Sequence, residues 1–286
     1  MSAPALLTLA KRALTGEAKL DRGAVLLAAV SGGPDSMALL HVLSSLAPKL
    51  GIVVRAHGVD HGLRREAKRE LDAAASFAEH LGVTFGRTRL KVAPGGNLQA
   101  RARAARYEAR AAAAHACGAG TIATAHHADD RAETVLLRLM RGAGPRGLAV
   151  LPPRAPLGEG PGLELLRPLI RARRADIRAH VERHAIPFAT DPSNEDPRFL
   201  RVRVRRELLP LLEELAPGIV GHLVALADQL AELDVAAADR SGSFPLPRST
   251  QVALAALVRS RSTTARVWLP GDLVVSRRLS PVRKGG

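Results

Sequence analysis

The feature that most constrains this chain is a glycine-bearing hexapeptide set between an apolar run and a helix. Ala24, Val25, Leu26, Leu27, Ala28, Ala29 and Val30 form a continuous apolar stretch of strand length. Ser31, Gly32, Gly33, Pro34, Asp35 and Ser36 follow, and residues 37–43 continue as a helix with a buried face. Strand, glycine turn and helix in that order is how α/β proteins build an anion cradle from backbone N–H groups. Gly32 and Gly33 let the main chain approach a phosphate with no Cβ in the way. Pro34 suits the first helical turn, where a missing N–H costs nothing. Ser31 and Ser36 add hydroxyl donors. Asp35 is the odd member, because a carboxylate beside phosphate repels it, and a Mg²⁺ ion between them removes the conflict. The hexapeptide fits neither Gly-x-x-x-x-Gly-Lys-Ser/Thr nor Gly-x-Gly-x-x-Gly.

The chain has 286 residues, 47% of them hydrophobic, enough for one α/β domain and a smaller appendage. No apolar run reaches membrane-spanning length, and residues 1–20 lack the order of a signal peptide, so a cytoplasmic protein is expected. The single cysteine, Cys117, excludes an intramolecular disulfide and any four-cysteine metal site, and reads as a small buried residue. A net charge of +15 attracts polyanions and speeds their encounter. Aromatic residues make up 2%, too few for base stacking to dominate contact with RNA.

Further strands are expected at 52–59, 83–90, 121–125 and 163–169, and helices at 5–20, 66–81, 98–116, 129–141, 173–184, 198–212 and 218–238. Strands alternating with helices of that length imply parallel βαβ units, with ligands beyond the carboxyl ends of the strands. The hexapeptide, the loop at Asp60, His61 and Gly62, and His126–His127 all fall at such ends. Residues 151–162 read as a Pro/Gly-rich loop. A boundary near 213 separates a domain of residues 1–213 from an extension of residues 214–286.

Thr124 to Thr134 opens a helix and carries the second constellation. His126, Asp130 and Glu133 are spaced i, i+4, i+7, which places them on one helical face if the helix starts early enough. Asp129 and Asp130 suit the positive first turn. Carboxylates beside phosphate favour Mg²⁺ over zinc.

Together these motifs resemble a known family. Ser31-Gly-Gly-Pro-Asp-Ser36 is similar to the pyrophosphate loop of the ATP pyrophosphatase (PP-loop) superfamily. With His57-Gly-Val-Asp-His-Gly-Leu-Arg64, Ala125-His-His-Ala-Asp-Asp-Arg-Ala-Glu-Thr134, Arg141-Gly-Ala-Gly144, Arg167-Pro-Leu169, Asp191-Pro-Ser-Asn194 and Arg201-x-Arg203-x-Arg205, it resembles the tRNA(Ile)-lysidine synthetase family over about residues 24–212. The resemblance implies an α/β PP-loop domain with a parallel sheet, akin to adenine nucleotide alpha hydrolases, and a small, mainly helical C-terminal region. It implies that ATP adenylates C2 of the wobble cytidine in tRNA(Ile) with anticodon CAU, and that L-lysine then displaces AMP. It also implies ATP and Mg²⁺ as cofactors, with Asp35 and Asp130 as ligands of the metal, and is compatible with a homodimer and no membrane. By position, Ser31, Gly32, Gly33, Pro34, Asp35 and Ser36 would hold ATP. Asp35, His126, Asp130, Glu133, Arg106 and Arg201 would be catalytic, with Arg203 and Arg205 meeting phosphate or tRNA.

The chain departs from the family at Phe188, where a tryptophan is usual, and at Val202, where an asparagine is usual. Only about 70 residues follow residue 213, where the family often carries substantial tRNA-recognition domains. Two rivals remain. A tRNA thiolase resembling the cytidine thiolases needs paired cysteines, against the single Cys117. A non-catalytic RNA-binding relative would have no use for intact Asp35, Asp130 and Glu133.

Overall fold

A computed structural model describes residues 5–60, 66–90, 98–157, 162–190 and 195–241, with the strand residues 266–269 and 273–276. His61, Gly62 and Arg64, the turn at 94–97 and the motif at 191–194 lie outside the described residues. Helix α1 (Leu6–Arg12) runs on through a widened turn, Ala13–Glu17. Four strand–helix units follow: β1 (Val25–Val30) and α2 (Pro34–Leu50), β2 (Val53–Asp60) and α3 (Glu66–His80), β3 (Thr84–Arg89) and α4 (Leu98–Ala116), β4 (Thr121–Ala123) and α5 (Ala128–Leu139). Beyond them come α6 (Pro145–Leu148), β5 (Arg154–Pro156), β6 (Glu164–Leu166), α7 (Arg174–Arg183), α8 (Leu200–Arg203), α9 (Leu209–Leu215) and α10 (Ile219–Ser241).

The six strands pair in the order β3-β2-β1-β4-β6-β5. All neighbours are parallel except β5, which runs antiparallel to β6 at the edge. The sequence places β5 in a loop. Three residues are too few to show alternation, and Pro156 is tolerated in a strand only because it stands on an edge.

β1 is apolar throughout because both faces of the sheet are covered. Leu26, Ala28 and Val30 pack with α1, α2, α3 and α7, among them Leu39, Leu40, Leu43, Ala74, Ala78, Ile177 and Val181. Leu27 and Ala29 point the other way, into a cluster with Ala114 of α4 and Ile122 of β4. α2 and α3 therefore share a face, whereas α4 crosses to the other face and delivers β4 on the far side of β1. The strand order reverses between β1 and β4, and a crevice opens beyond the carboxyl ends of strands at such a reversal. The turn at 31–36 leaves β1, and the residues at 124–130 leave β4.

A separate apolar cluster backs α5. Ala128, Ala132, Val135 and Leu136, at helical spacing, meet Leu148, Val150, Val204, Leu209, Val220, Leu223, Val224 and Ala227. The helix expected over 198–212 is interrupted by an i→i+5 turn, Val204–Leu208, just before Pro210, which has no N–H to return to the preceding turn. The chain divides into two compact units, Met1–Ala231 and Glu232–Gly286. The boundary expected near 213 lies within the first of these units, where Val220, Val224 and Ala227 are buried against α5. The second unit contains an antiparallel hairpin, β7 (Arg266–Leu269) with β8 (Leu273–Ser276). Among the described residues no single helix is long and apolar enough to cross a membrane.

Candidate active site

The first wall of the crevice is the turn between β1 and α2. Gly33 caps α2 in extended backbone and Pro34 opens its first turn. Gly32 has φ +84°, and a Cβ there would stand 2.9 Å from the Glu70 carbonyl oxygen, so glycine is required on both counts. The Gly32 carbonyl accepts the N–H of Ala189 at 2.9 Å, next to the half-exposed Phe188. Ser36 Oγ donates to the Gly33 carbonyl at 2.9 Å and accepts the N–H of Ser31 at 3.1 Å. Ser31 Oγ lies 3.2 Å from Ser36 Oγ. In this structure the two hydroxyls brace the turn from within.

The second wall is the start of α5. His127, not His126, is the helix cap. Its Nδ1 accepts the N–H of Asp130 at 3.4 Å, and Asp130 Oδ2 accepts the N–H of His127 at 3.3 Å. This reciprocal cap begins the helix at Ala128, so His126 stands in the extended segment before it rather than on its face. Thr124 Oγ1 lies 3.0 Å from His126 Nδ1. Burial first, then the charges of Arg167, Arg201 and Arg110 against the pull of Asp130, lowers the His126 pKa to about 4.

Glu133 is wholly buried and bound by three arginines. Arg174 donates to Oε1 at 2.8 Å, Arg201 Nε to Oε2 at 2.8 Å, and Arg205 spans both oxygens at 2.7 and 3.1 Å. Four N–H donors fill a carboxylate's accepting capacity. Arg201 also donates to Asp130 Oδ1 at 3.0 Å. Burial opposes ionisation of Glu133 and Asp130, but the surrounding cations outweigh it and hold both below the usual carboxylate range. Asp35 goes the other way. Burial raises its pKa and the Asp130 charge raises it further, against His127, Arg174 and Arg205.

Asp35 and Asp130 meet across one imidazole. His127 Nε2 lies 3.8 Å from Asp35 Oδ2 and 3.5 Å from Asp130 Oδ2, and its ring is fully buried. Among the described residues no group of three or more His, Cys, Asp or Glu side chains could hold a metal by itself. Two oxygen ligands that need phosphates and water to complete the shell are what Mg²⁺ accepts beside a nucleotide. The chemistry of these two carboxylates therefore fits Mg²⁺ beside a nucleotide.

The remaining expected residues divide. Arg205 joins the cage, whereas Arg203 turns away to pair with Glu207 at 2.8 Å on the exposed face. Arg106 lies half-buried two turns into α4, and Arg110, one turn on, is close enough for its charge to act on His126. Asp129 leaves the crevice altogether: its Oδ2 accepts the N–H of Arg174 at 2.7 Å and its carboxylate pairs with Arg173, which ties α5 to the start of α7. Sequence reasoning gave no role to His127, Arg174 or Arg110. The Arg173–Arg174 doublet at a helix start was the available signal, because cations are unfavourable there without carboxylate partners.

Known proteins resemble this chain in sequence and in fold. A family model described as the PP-loop domain matches residues 7–212. A tRNA(Ile)-lysidine synthase of Salinispora arenicola is 43% identical over 230 residues, covering 79% of this chain and 67% of that protein. The chain belongs to the tRNA(Ile)-lysidine synthase family. Two further members, from Novosphingobium aromaticivorans and Pseudomonas aeruginosa, are 42% and 41% identical over 217 and 207 residues. The match covers 76% and 72% of this chain but 64% and 46% of those lysidine synthases, so the chain spans about half to two thirds of the relatives' length. The fold recurs in the U34-tRNA thiolase NcsA from Methanococcus maripaludis, with a TM-score of 0.66 at 20% identity, covering 79% of this chain and 78% of that one.

Proposed function

We propose that the chain ligates L-lysine to C2 of the wobble cytidine of tRNA(Ile) with anticodon CAU, using ATP. The observation that carries this reading is the meeting of Asp35 and Asp130 across His127 at the reversal of the strand order. The turn at 31–36 receives the triphosphate on its N–H groups, and the start of α5 faces the α-phosphorus. The cytidine C2 oxygen attacks that phosphorus, and the bond to the bridging oxygen breaks as pyrophosphate leaves. The lysine ε-amine then attacks C2, loses a proton, and AMP departs with the C2 oxygen. Held by Asp35 and Asp130, a Mg²⁺ ion would neutralise charge on the phosphates.

In this reading the protein supplies position and field rather than a covalent nucleophile. Asp130 draws in the lysine ammonium, which sheds a proton before the neutral amine attacks. Glu133, its oxygens already filled, orders Arg174, Arg201 and Arg205 around the developing negative charge. Arg106 and Arg110 extend the positive wall along α4. The net charge of +15 draws in tRNA, and the reaction is placed in the cytoplasm, where tRNA and ATP meet. A thiolase reading is weaker, because Cys117 follows the C-terminal end of α4, at the sheet edge opposite the crevice.

The test is incubation with ATP, Mg²⁺, labelled lysine and total tRNA. Lysine-dependent label in tRNA is the expected result. ATP–pyrophosphate exchange without incorporation would point to another PP-loop activity, and neither signal to RNA binding alone. Light scattering of the same sample checks for a homodimer.

A further inference from the structure

His127 is a buried polar side chain at the centre of the site to which the chemistry above gives no role. Its Nδ1 accepts the N–H of Asp130, which puts the ring proton on Nε2. That Nε2 is buried and has no hydrogen-bond partner. An orphaned donor in a dry site is costly, by about 1–3 kcal/mol, and is retained only where something repays it. Two carboxylate oxygens stand just beyond hydrogen-bond length on either side, Asp130 Oδ2 at 3.5 Å and Asp35 Oδ2 at 3.8 Å. They come from different helices, α5 and α2, so a donor between them sets a spacing that neither helix sets alone. The cap itself needs only Nδ1, and an asparagine or serine would serve it as well.

We propose that His127 is a positioning residue whose Nε2–H spans Asp35 and Asp130 and sets their spacing for a divalent cation. Rotation of each carboxylate toward a shared cation brings its outer oxygen onto the imidazole N–H. The donor then fixes how each carboxylate is turned toward the cation, as ligand-orienting partners do in metal sites generally. The inference rests on the reading of Asp35 and Asp130 as the cation ligands, so its test must separate the two.

The experiment is Mn²⁺ binding to the protein in the presence of α,β-methylene-ATP, which supplies the phosphates, followed by electron paramagnetic resonance, for wild type, His127→Asn, His127→Gln and Asp130→Asn. Asparagine keeps an acceptor for the helix cap but loses the far donor. Glutamine reaches as far as Nε2 and restores an N–H there. His127→Asn should melt close to wild type yet bind Mn²⁺ about tenfold more weakly or worse. His127→Gln should recover most of that loss. A purely structural role predicts the reverse order, because asparagine is the better cap, and that order overturns the proposal. Unchanged Mn²⁺ affinity in His127→Asn, with weakened binding in Asp130→Asn, overturns the role of His127 and leaves the cation reading standing. Unchanged affinity in Asp130→Asn, or no uptake by wild type at millimolar Mn²⁺, overturns both. ATP–pyrophosphate exchange in the same variants should follow the Mn²⁺ order.

Discussion

The two walls of the crevice are built on opposite principles. The turn at 31–36 is held mainly by contacts within six residues, two hydroxyls, one carbonyl and a glycine in left-handed backbone, with one distant bond from the Ala189 N–H to Gly32. The wall at α5 is held by charge brought from far along the chain, with Glu133 receiving Arg174, Arg201 and Arg205 from three segments. A local brace forms with its helix and yields gradually when altered. A cage of buried charges is stable only when complete, because each ion relies on the others for its solvation. The enzyme reading needs both, since neutral backbone donors receive phosphate while fixed charges tune what happens beside it.

Removing the centre of the cage is the hardest test of this contrast. Glu133→Ala leaves three arginines facing each other in a partly buried space, and loss of about 3–5 kcal/mol of stability is expected from breaking a buried ion cluster. Urea unfolding measures it, and a loss below about 1 kcal/mol would show the cage to be no more than a surface network. On the local wall, Gly32→Ala forces an alanine into φ +84° against the Glu70 carbonyl oxygen, at a cost of about 1–3 kcal/mol. Its ATP affinity should fall more than its stability, because the strained residue lies in the cradle itself, and calorimetric titration with ATP shows which falls further.

The walls are joined behind the site where α2 packs on α7, through His41, His180 and His184. His41 Nδ1 lies 3.0 Å from His180 Nε2, and the His180 and His184 rings are centred 4.5 Å apart. Burial, then His184, His41 and Arg183, lowers the His180 pKa to about 4, and burial with His184 lowers that of His41. A histidine held neutral in the fold contributes stability above its ordinary pKa of 6.5, lost as pH falls toward 4. The melting temperature should therefore decline by roughly 5 °C between about pH 6.5 and 4.5, and His180→Gln should flatten that decline. His126 adds to the same slope. An unchanged slope in His180→Gln would remove this junction from the account. The smallest effect belongs to the arginine that left the cage. Arg203→Ala breaks only an exposed i,i+4 pair with Glu207, and a melting temperature within about 1 °C of wild type is expected.

Much of the first wall was legible in the chain, and little of the second. The apolar run at 24–30, the paired glycines and Pro34 announce a strand, a turn and a helix start, because each acts on its immediate neighbours. Asp130 and Glu133 could be picked out by spacing, but the helix start could not be fixed within two residues. That shift moves His126 off the helix and makes His127 the cap. The role of Glu133 was legible only as a carboxylate near phosphate, since its arginines lie 41 to 72 positions away. Val220 and Ala227 show the same limit in the apolar register: their spacing marks a helix, yet not that it is buried against α5.

The sequence by itself determined a parallel α/β sheet with a phosphate turn after its first strand, because hydrophobic period, glycine and proline act over a few residues. Tertiary structure alone decided which strands flank that turn, which imidazole stands between Asp35 and Asp130, and which arginines close on Glu133. Those are meetings of residues distant in the chain, and their energies exist only once the sheet order has brought the charges together and excluded water from between them.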